Sequence, residues 1–214
     1  MRVLIKYSRD NSAKFLSHLD MQRFFARALM RSGLKCRFSE GFNPHIIMSF
    51  ASPLSVGYAT MGDYLEVKLE DEQRADDIMT KLAAVMPEDI KIVSVGLISD
   101  KCPKLMAINH SASYVVEFEQ NIEKEAEKLK QVKEYKITDR KGRDIDILPM
   151  IISIEPKGNK ILCSLKNSSQ TTLNPGNLIQ VFTNNAKNVK ITRIDCYCDL
   201  KGEVMPFDKL TEVV

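Results

Sequence analysis

Strand-like alternation and helix-like spacing follow one another in the order strand, helix, strand, strand, helix, strand, and the order recurs in the second half of the chain with one further strand before its last helix. In the first pass residues 2–8 alternate, with Val3, Ile5 and Tyr7 on one side and Leu4 and Lys6 on the other. Ser17 followed by Asp20 makes a capping box, with Leu16 and Met21 placed to staple it. Gly33 is a natural stop, so a helix is expected over residues 18–32. Residues 34–38 and 46–50 read as short strands around the turn-rich stretch 39–45, and residues 58–69 alternate again. Asp71 is the expected cap of a second helix that carries Ala75, Ile78, Met79, Leu82 and Val85 on one side and stops before Pro87. Residues 90–98 close the pass as a strand.

Residues 100–111 read as a linker. Beyond them residues 114–119 are strand-like, and Asn121 caps a charged helix with Ile122, Ala126, Leu129 and Val132 on one face. Residues 135–139, 143–155 and 160–166 read as strands, Asn174-Pro175 starts the last helix, and residues 189–198 form the final strand. The expected fold is α+β: two ferredoxin-like (β-α-β-β-α-β) halves, residues 1–99 and 112–214, either separate or sharing one extended antiparallel sheet. Sequence repetition between the halves is not visible, so the duplication is one of pattern.

Several classes are disfavoured at once. No apolar run approaches the roughly 18 residues that cross a bilayer, and the first residues alternate without a signal peptide's apolar core. The five cysteines have irregular spacing, a poor disulfide framework that suits a reducing compartment. A cytoplasmic protein is expected. Cys196 and Cys198 share one side of a strand but lack a second ligand pair, so they read as small apolar residues and no metal site is expected. Walker and dinucleotide motifs are absent from the sequence.

Charge is spread unevenly. Residues 1–50 hold nine basic and three acidic residues, a balance of +6, so the rest of the chain carries −3 of the net +3. Such asymmetry points to an anionic partner for the N-terminal part. Arg23, Arg27 and Arg31 recur every fourth residue along the first helix, nearly without acidic partners at that spacing, and guanidinium groups bind phosphates bidentately. Arg37, Phe42 and Asn43 join them as candidates for nucleic-acid or anion binding, with Phe42 in the turn as the stacking residue and Phe38 and Phe50 assigned to the core. His18, Asp20 and His45 are the candidate catalytic groups. Histidine as a residue type suits acid–base work on RNA, and Asp20 suits a nucleophile, although helix capping explains Asp20 better. Pro44 stiffens the loop 40–45 and Gly41 permits an unusual backbone angle, a build that holds side chains in place. Functional chemistry is therefore expected within residues 17–53.

The runs Phe15-Leu16-Ser17-His18-Leu19-Asp20, Arg27-Ala28-Leu29, Arg31-Ser32-Gly33-Leu34, Ser39-Glu40-Gly41-Phe42-Asn43-Pro44-His45 and Ser49-Phe50-Ala51-Ser52-Pro53-Leu54 closely resemble the radical-SAM-linked family of unknown function. The resemblance is dense over residues 1–70 and thinner beyond, where Leu173-Asn174-Pro175 also fits. Members of that family are fused to, or encoded beside, cobalamin-binding-type radical S-adenosylmethionine proteins. The resemblance implies a radical SAM partner and marks His18, Asp20 and His45 as a site without supplying a reaction. This chain lacks the Cys-x-x-x-Cys-x-x-Cys cluster motif, so the iron–sulfur cluster, S-adenosylmethionine and cobalamin would belong to the partner and no cofactor is expected here. The leading expectation is an accessory module that binds tRNA or rRNA and works with that partner. An RNA-modifying or RNA-cleaving enzyme centred on His18, Asp20 and His45 is the second, and a protein-interaction module without nucleic acid is the third.

Overall fold

The computed structural model describes residues 1–138, 142–183 and 188–213. The first half runs β1 (Arg2–Arg9), α1 (His18–Arg31), β2 (Met48–Phe50), β3 (Ala59–Lys68), α2 (Ala75–Ala83) and β4 (Ile90–Ile98). There follow α3 (Leu105–Ile108), β5 (Asn109–Glu117), α4 (Glu123–Gln131), β6 (Lys136–Thr138), β7 (Asp144–Asp146), β8 (Ile151–Lys157) and β9 (Lys160–Lys166). The last described elements are α5 (Pro175–Ile179), β10 (Lys190–Leu200), β11 (Glu203–Pro206) and α6 (Leu210–Val213).

The fold is mixed α+β, built on one nine-stranded sheet in the order β4-β1-β3-β10-β5-β9-β8, with β2 pairing β3 and β11 pairing β10. β6 and β7 form a separate hairpin. The sheet is mixed, not wholly antiparallel as expected, because β10 runs parallel to β3 where Thr192 and Arg193 face Ala59 and Thr60. On its other edge β10 runs antiparallel to β5. A strand late in the sequence therefore joins the two parts of the sheet.

β1 shows why the sheet is covered on both sides. Val3, Ile5 and Tyr7 enter a core with Phe25, Ala28 and Leu29 of α1 and Ile78 and Leu82 of α2. Leu4, on the opposite face, packs with Tyr64, Leu105, Phe207 and Leu210. Period-two alternation normally leaves one face wet. Here the segment after β11 crosses back over that face, and Lys6 is held there by Asp195 at 2.7 Å and Asp208 at 3.0 Å. The second core continues through Ala112, Tyr114 and Val116 of β5, Ile122 and Ala126 at α4, and Leu178 and Ile179 of α5.

Several expectations need correction. Asp71 does not cap α2: Arg74 occupies the cap position, and Asp71 instead pairs with Lys35 at 2.8 Å. The expected linker contains α3 and the first three residues of β5, because Asn109 and Ser111 are polar residues buried in the sheet. Phe38 is not in the core and stands 48% exposed. The expected strand 143–155 divides into β7, a 3-10 turn over Leu148–Met150 and β8. Asp139, the last residue of the expected strand 135–139, lies outside the described residues. No helix among the described residues is long and apolar enough to cross a membrane.

Candidate functional site

α1 begins on the expected capping box. Ser17 is extended, its Oγ accepts the Asp20 N–H at 3.2 Å, and Asp20 Oδ2 accepts the Ser17 N–H at 3.3 Å and hydroxyl at 2.6 Å. Those two donors, with Arg23 at 3.6 Å, hold the Asp20 carboxyl below its usual pKa. The staple residue Met21 is buried and Leu16 packs partly against the same core. His18 is the first helical residue. Its ring meets the edge of buried Phe50 at a centroid distance of 5.3 Å, and its Nε2 lies 3.2 Å from the Gln22 amide nitrogen. Burial, then the charge of Arg9, depresses the His18 pKa and favours neutral imidazole.

His45 lies in the exposed turn and closes it. Its Nδ1 shares a hydrogen bond of 2.8 Å with Ser39 Oγ, its N–H donates to that oxygen at 3.1 Å, and its carbonyl accepts the Ser39 N–H at 2.8 Å. Phe38 pairs with Ile46 and the Ile47 N–H donates to the Arg37 carbonyl at 2.8 Å, so the turn sits on a short antiparallel ladder. Gly41, at φ +117°, supplies the backbone angle that an L side chain would resist. His18, Asp20 and His45 are thus occupied separately, and no hydrogen bond joins any two of them among the described residues. The acid–base reading requires contact directly or through one water.

The arginine candidates are all exposed, but they are not equivalent. Arg23 pairs with Asp20, so the helix does carry an acidic partner at i,i+3 spacing. Arg31 donates to the Val85 carbonyl at 3.1 Å and is drawn towards the end of α2. Arg27 and Arg37 have no side-chain partner among the described residues and are the better placed to take an external anion. Phe42 is completely solvent-exposed at 105%, and Asn43 beside it also faces solvent.

Sequence reasoning missed a second polar constellation, buried where β10 meets β3. Arg193 Nη1 lies 2.9 Å from Asp63 Oδ1, with both side chains 3% exposed. Arg193 also donates to the Tyr114 hydroxyl at 3.3 Å and to the carbonyls of Ser52 at 3.5 Å and Pro53 at 3.2 Å. Burial opposes its charge, but Asp63 prevails and raises the Arg193 pKa well above its usual value. Asp63 further accepts the Thr60 hydroxyl at 3.2 Å. Arg9, buried nearby, donates to the carbonyls of Leu16 at 3.2 Å, Leu54 at 3.4 Å and Ser55 at 3.2 Å.

The same segment is gripped by two asparagines from the other part of the chain. Asn167 donates to Ser52 Oγ at 2.9 Å and Asn174 to Ser55 Oγ at 2.8 Å. Asn174 Oδ1 accepts the Tyr58 hydroxyl at 2.9 Å while capping α5 through the Gly176 N–H at 2.8 Å. The available signal was charge at inward strand positions: Asp63 precedes Tyr64 and Leu65, and Arg193 falls two residues after Ile191. Such residues stay buried only when paired.

A cleft of about 400 Å³ lies beside β2 and β3, lined in part by Arg2, Ser49, Glu66, Lys68 and Lys104. Glu66 is occupied by Arg2 on one oxygen and by the Ser49 hydroxyl at 2.7 Å on the other. Cys196 and Cys198 are both buried in β10, as small apolar residues would be, and no group of three or more potential metal ligands is found among the described residues.

No curated protein matches the chain. Residues 2–175 match the model of the family described as "Uncharacterized protein conserved in bacteria" (DUF2344), and the chain belongs to that family.

Proposed function

We propose that the protein is an accessory RNA-binding module, taking tRNA or rRNA, and that it acts beside a radical SAM enzyme. The carrying observation is the turn 39–45: an aromatic ring wholly in solvent, with exposed and unpaired Arg37 at its base. Exposed Arg27 adds a second unpaired cation on α1. Guanidinium groups neutralise phosphates and release counterions, whereas aromatic faces accept bases of any sequence. The radical SAM partner rests on the family resemblance alone. Any iron–sulfur cluster, S-adenosylmethionine or cobalamin belongs to that partner.

We read each half as a ferredoxin-like unit. Supporting this, β1 lies between β4 and β3 with β2 beyond, and β5 lies between β10 and β9 with β8 beyond. The same positions are filled in both halves by the first, last, third and second strands of the unit.

Titration of bulk bacterial tRNA against the full chain tests the function. Affinity should fall steeply between about 50 and 200 mM salt, and Arg27→Ala or Arg37→Ala should each lower the log–log slope by about 1. Absence of binding at the lowest salt, or an affinity indifferent to salt, overturns the reading. A radical SAM protein retained after nuclease treatment would show that the partner contact does not depend on RNA.

A further inference from the structure

Phe38 stands at the base of the turn 39–45 and Phe42 in its middle, and neither is buried. Phe38 is 48% exposed and Phe42 105%. Leaving a phenylalanine side chain in water forgoes the free energy of burying it. The exposure is not the result of a loose loop. Ser39 and His45 close the turn through three hydrogen bonds of 2.8–3.1 Å, the Phe38–Ile46 bridge anchors its base, and Gly41 sets its bend. A turn whose backbone is held this way loses little conformational freedom on meeting a ligand.

The polar groups of the turn support the same interpretation. Ser39 and His45 are engaged with each other, while the Asn43 amide has no side-chain partner among the described residues and is exposed beside Phe42. Glu40 is the one acidic residue between Arg31 and Phe50, where Arg31, Lys35 and Arg37 are basic. The surface is therefore aromatic and amide at its tip and cationic at its base.

We infer that the turn 39–45 is a stacking platform for unpaired RNA bases, so that the module selects single-stranded or looped-out segments over regular duplex. This rests on the RNA-binding reading above. In an A-form duplex the bases are stacked on one another, and proteins reach mainly backbone and 2′-hydroxyls across a shallow groove. Phenylalanine rings offer that surface nothing. Unstacked bases instead present free faces to Phe42 and Phe38, a free edge to the Asn43 amide, and a flexible phosphate path to Arg37.

The test uses the full chain, fluorescently labelled oligo(U) and oligo(A) of about a dozen nucleotides, and a blunt RNA duplex of the same length. Either single strand should bind roughly tenfold more tightly than the duplex. Phe42→Ala should remove about that factor, Phe42→Trp should retain it, and neither should change the salt slope, since no charge is altered. Phe38→Ala should give a smaller loss. Thermal unfolding should be unchanged for Phe42→Ala, because that ring touches no core. Equal affinity for duplex and single strands, or wild-type affinity in Phe42→Ala, overturns this inference and leaves RNA binding standing. Failure of all three RNAs to bind at low salt overturns both.

Discussion

The exposed turn 39–45 and the buried junction around Arg193 both involve motif residues from the first 55 positions, yet they are built in opposite ways. Bonds in the turn span at most six residues, as between Ser39 and His45, and leave Phe42 and Asn43 free to face outward. At the junction the bonds that reach residues 52–55 from elsewhere span 45 to 141 residues, from Arg9–Leu54 to Arg193–Ser52, and face inward. Local bonds make a part that holds its own shape and can present side chains. Distant bonds make a part that exists only when the whole sheet is assembled. A dense run of motif residues is thus not one site: Ser39–His45 displays, whereas Ser52–Tyr58 is clamped.

The severest way to break the comparison is to remove one side of it. A chain ending at Pro175 retains the stretch that matches the family but loses β10, the strand that joins β3 to β5. Urea should reveal no cooperative transition in it, even though every residue of the turn is present. A cooperative transition of normal slope would show that the junction is dispensable. Next in size, Arg193→Ala leaves the Asp63 carboxylate buried without its partner and should cost about 3–5 kcal/mol in urea unfolding. Combining Asp63→Leu with Arg193→Met should recover most of that loss, because paired replacement avoids an uncompensated charge. Asn174→Ala removes a cap and two links to residues 55 and 58 and should cost about 1–2 kcal/mol, more than a cap alone if the clamp is real.

The smallest effect is one of pH. The folded pKa of His18 lies below its usual 6.5, so the folded state resists a proton that the unfolded chain accepts. Its contribution to stability is complete above pH 6.5 and declines as pH falls from there through the lower folded value. His18→Gln should flatten this part of the stability–pH curve. An unchanged slope would mean that the imidazole is as free to charge in the folded protein as in the unfolded one.

What could be read from the sequence followed from short-range physics. The span of β4 and the α1 capping box are set by alternation and by bonds within three residues, and both were legible. Asp71 was misread because a carboxylate ahead of a helix resembles a cap, and only the fold brings Lys35 to it. Phe38 was assigned inward because alternation puts it on the same side as Leu34 and Cys36, which are buried, but the stretch forms only isolated bridges and Phe38, at the base of the turn, stands exposed. The stretch 109–111 was taken for part of a linker because asparagine and serine punctuate loops. In the fold the Asn109 amide nitrogen donates to the Asn167 carbonyl, a partner 58 residues away. Among the site candidates, solvent exposure of Phe42, Asn43 and the arginines was legible. The pairing of Arg23 with Asp20 was present in the spacing but was examined only at four residues, not three. The Asp63–Arg193 pair spans 130 residues, beyond any local pattern.

The place of β10 bears on how the chain is made. A ribosome delivers β1, β3 and α1 long before β10 and the segment that carries Phe207 and Leu210. Until then one face of the early sheet, with Leu4 and Tyr64, has no lid, and Asp63 sits beside an empty position where Arg193 will arrive. The nascent N-terminal part therefore exposes apolar surface of the kind that favours aggregation until the late segment is made.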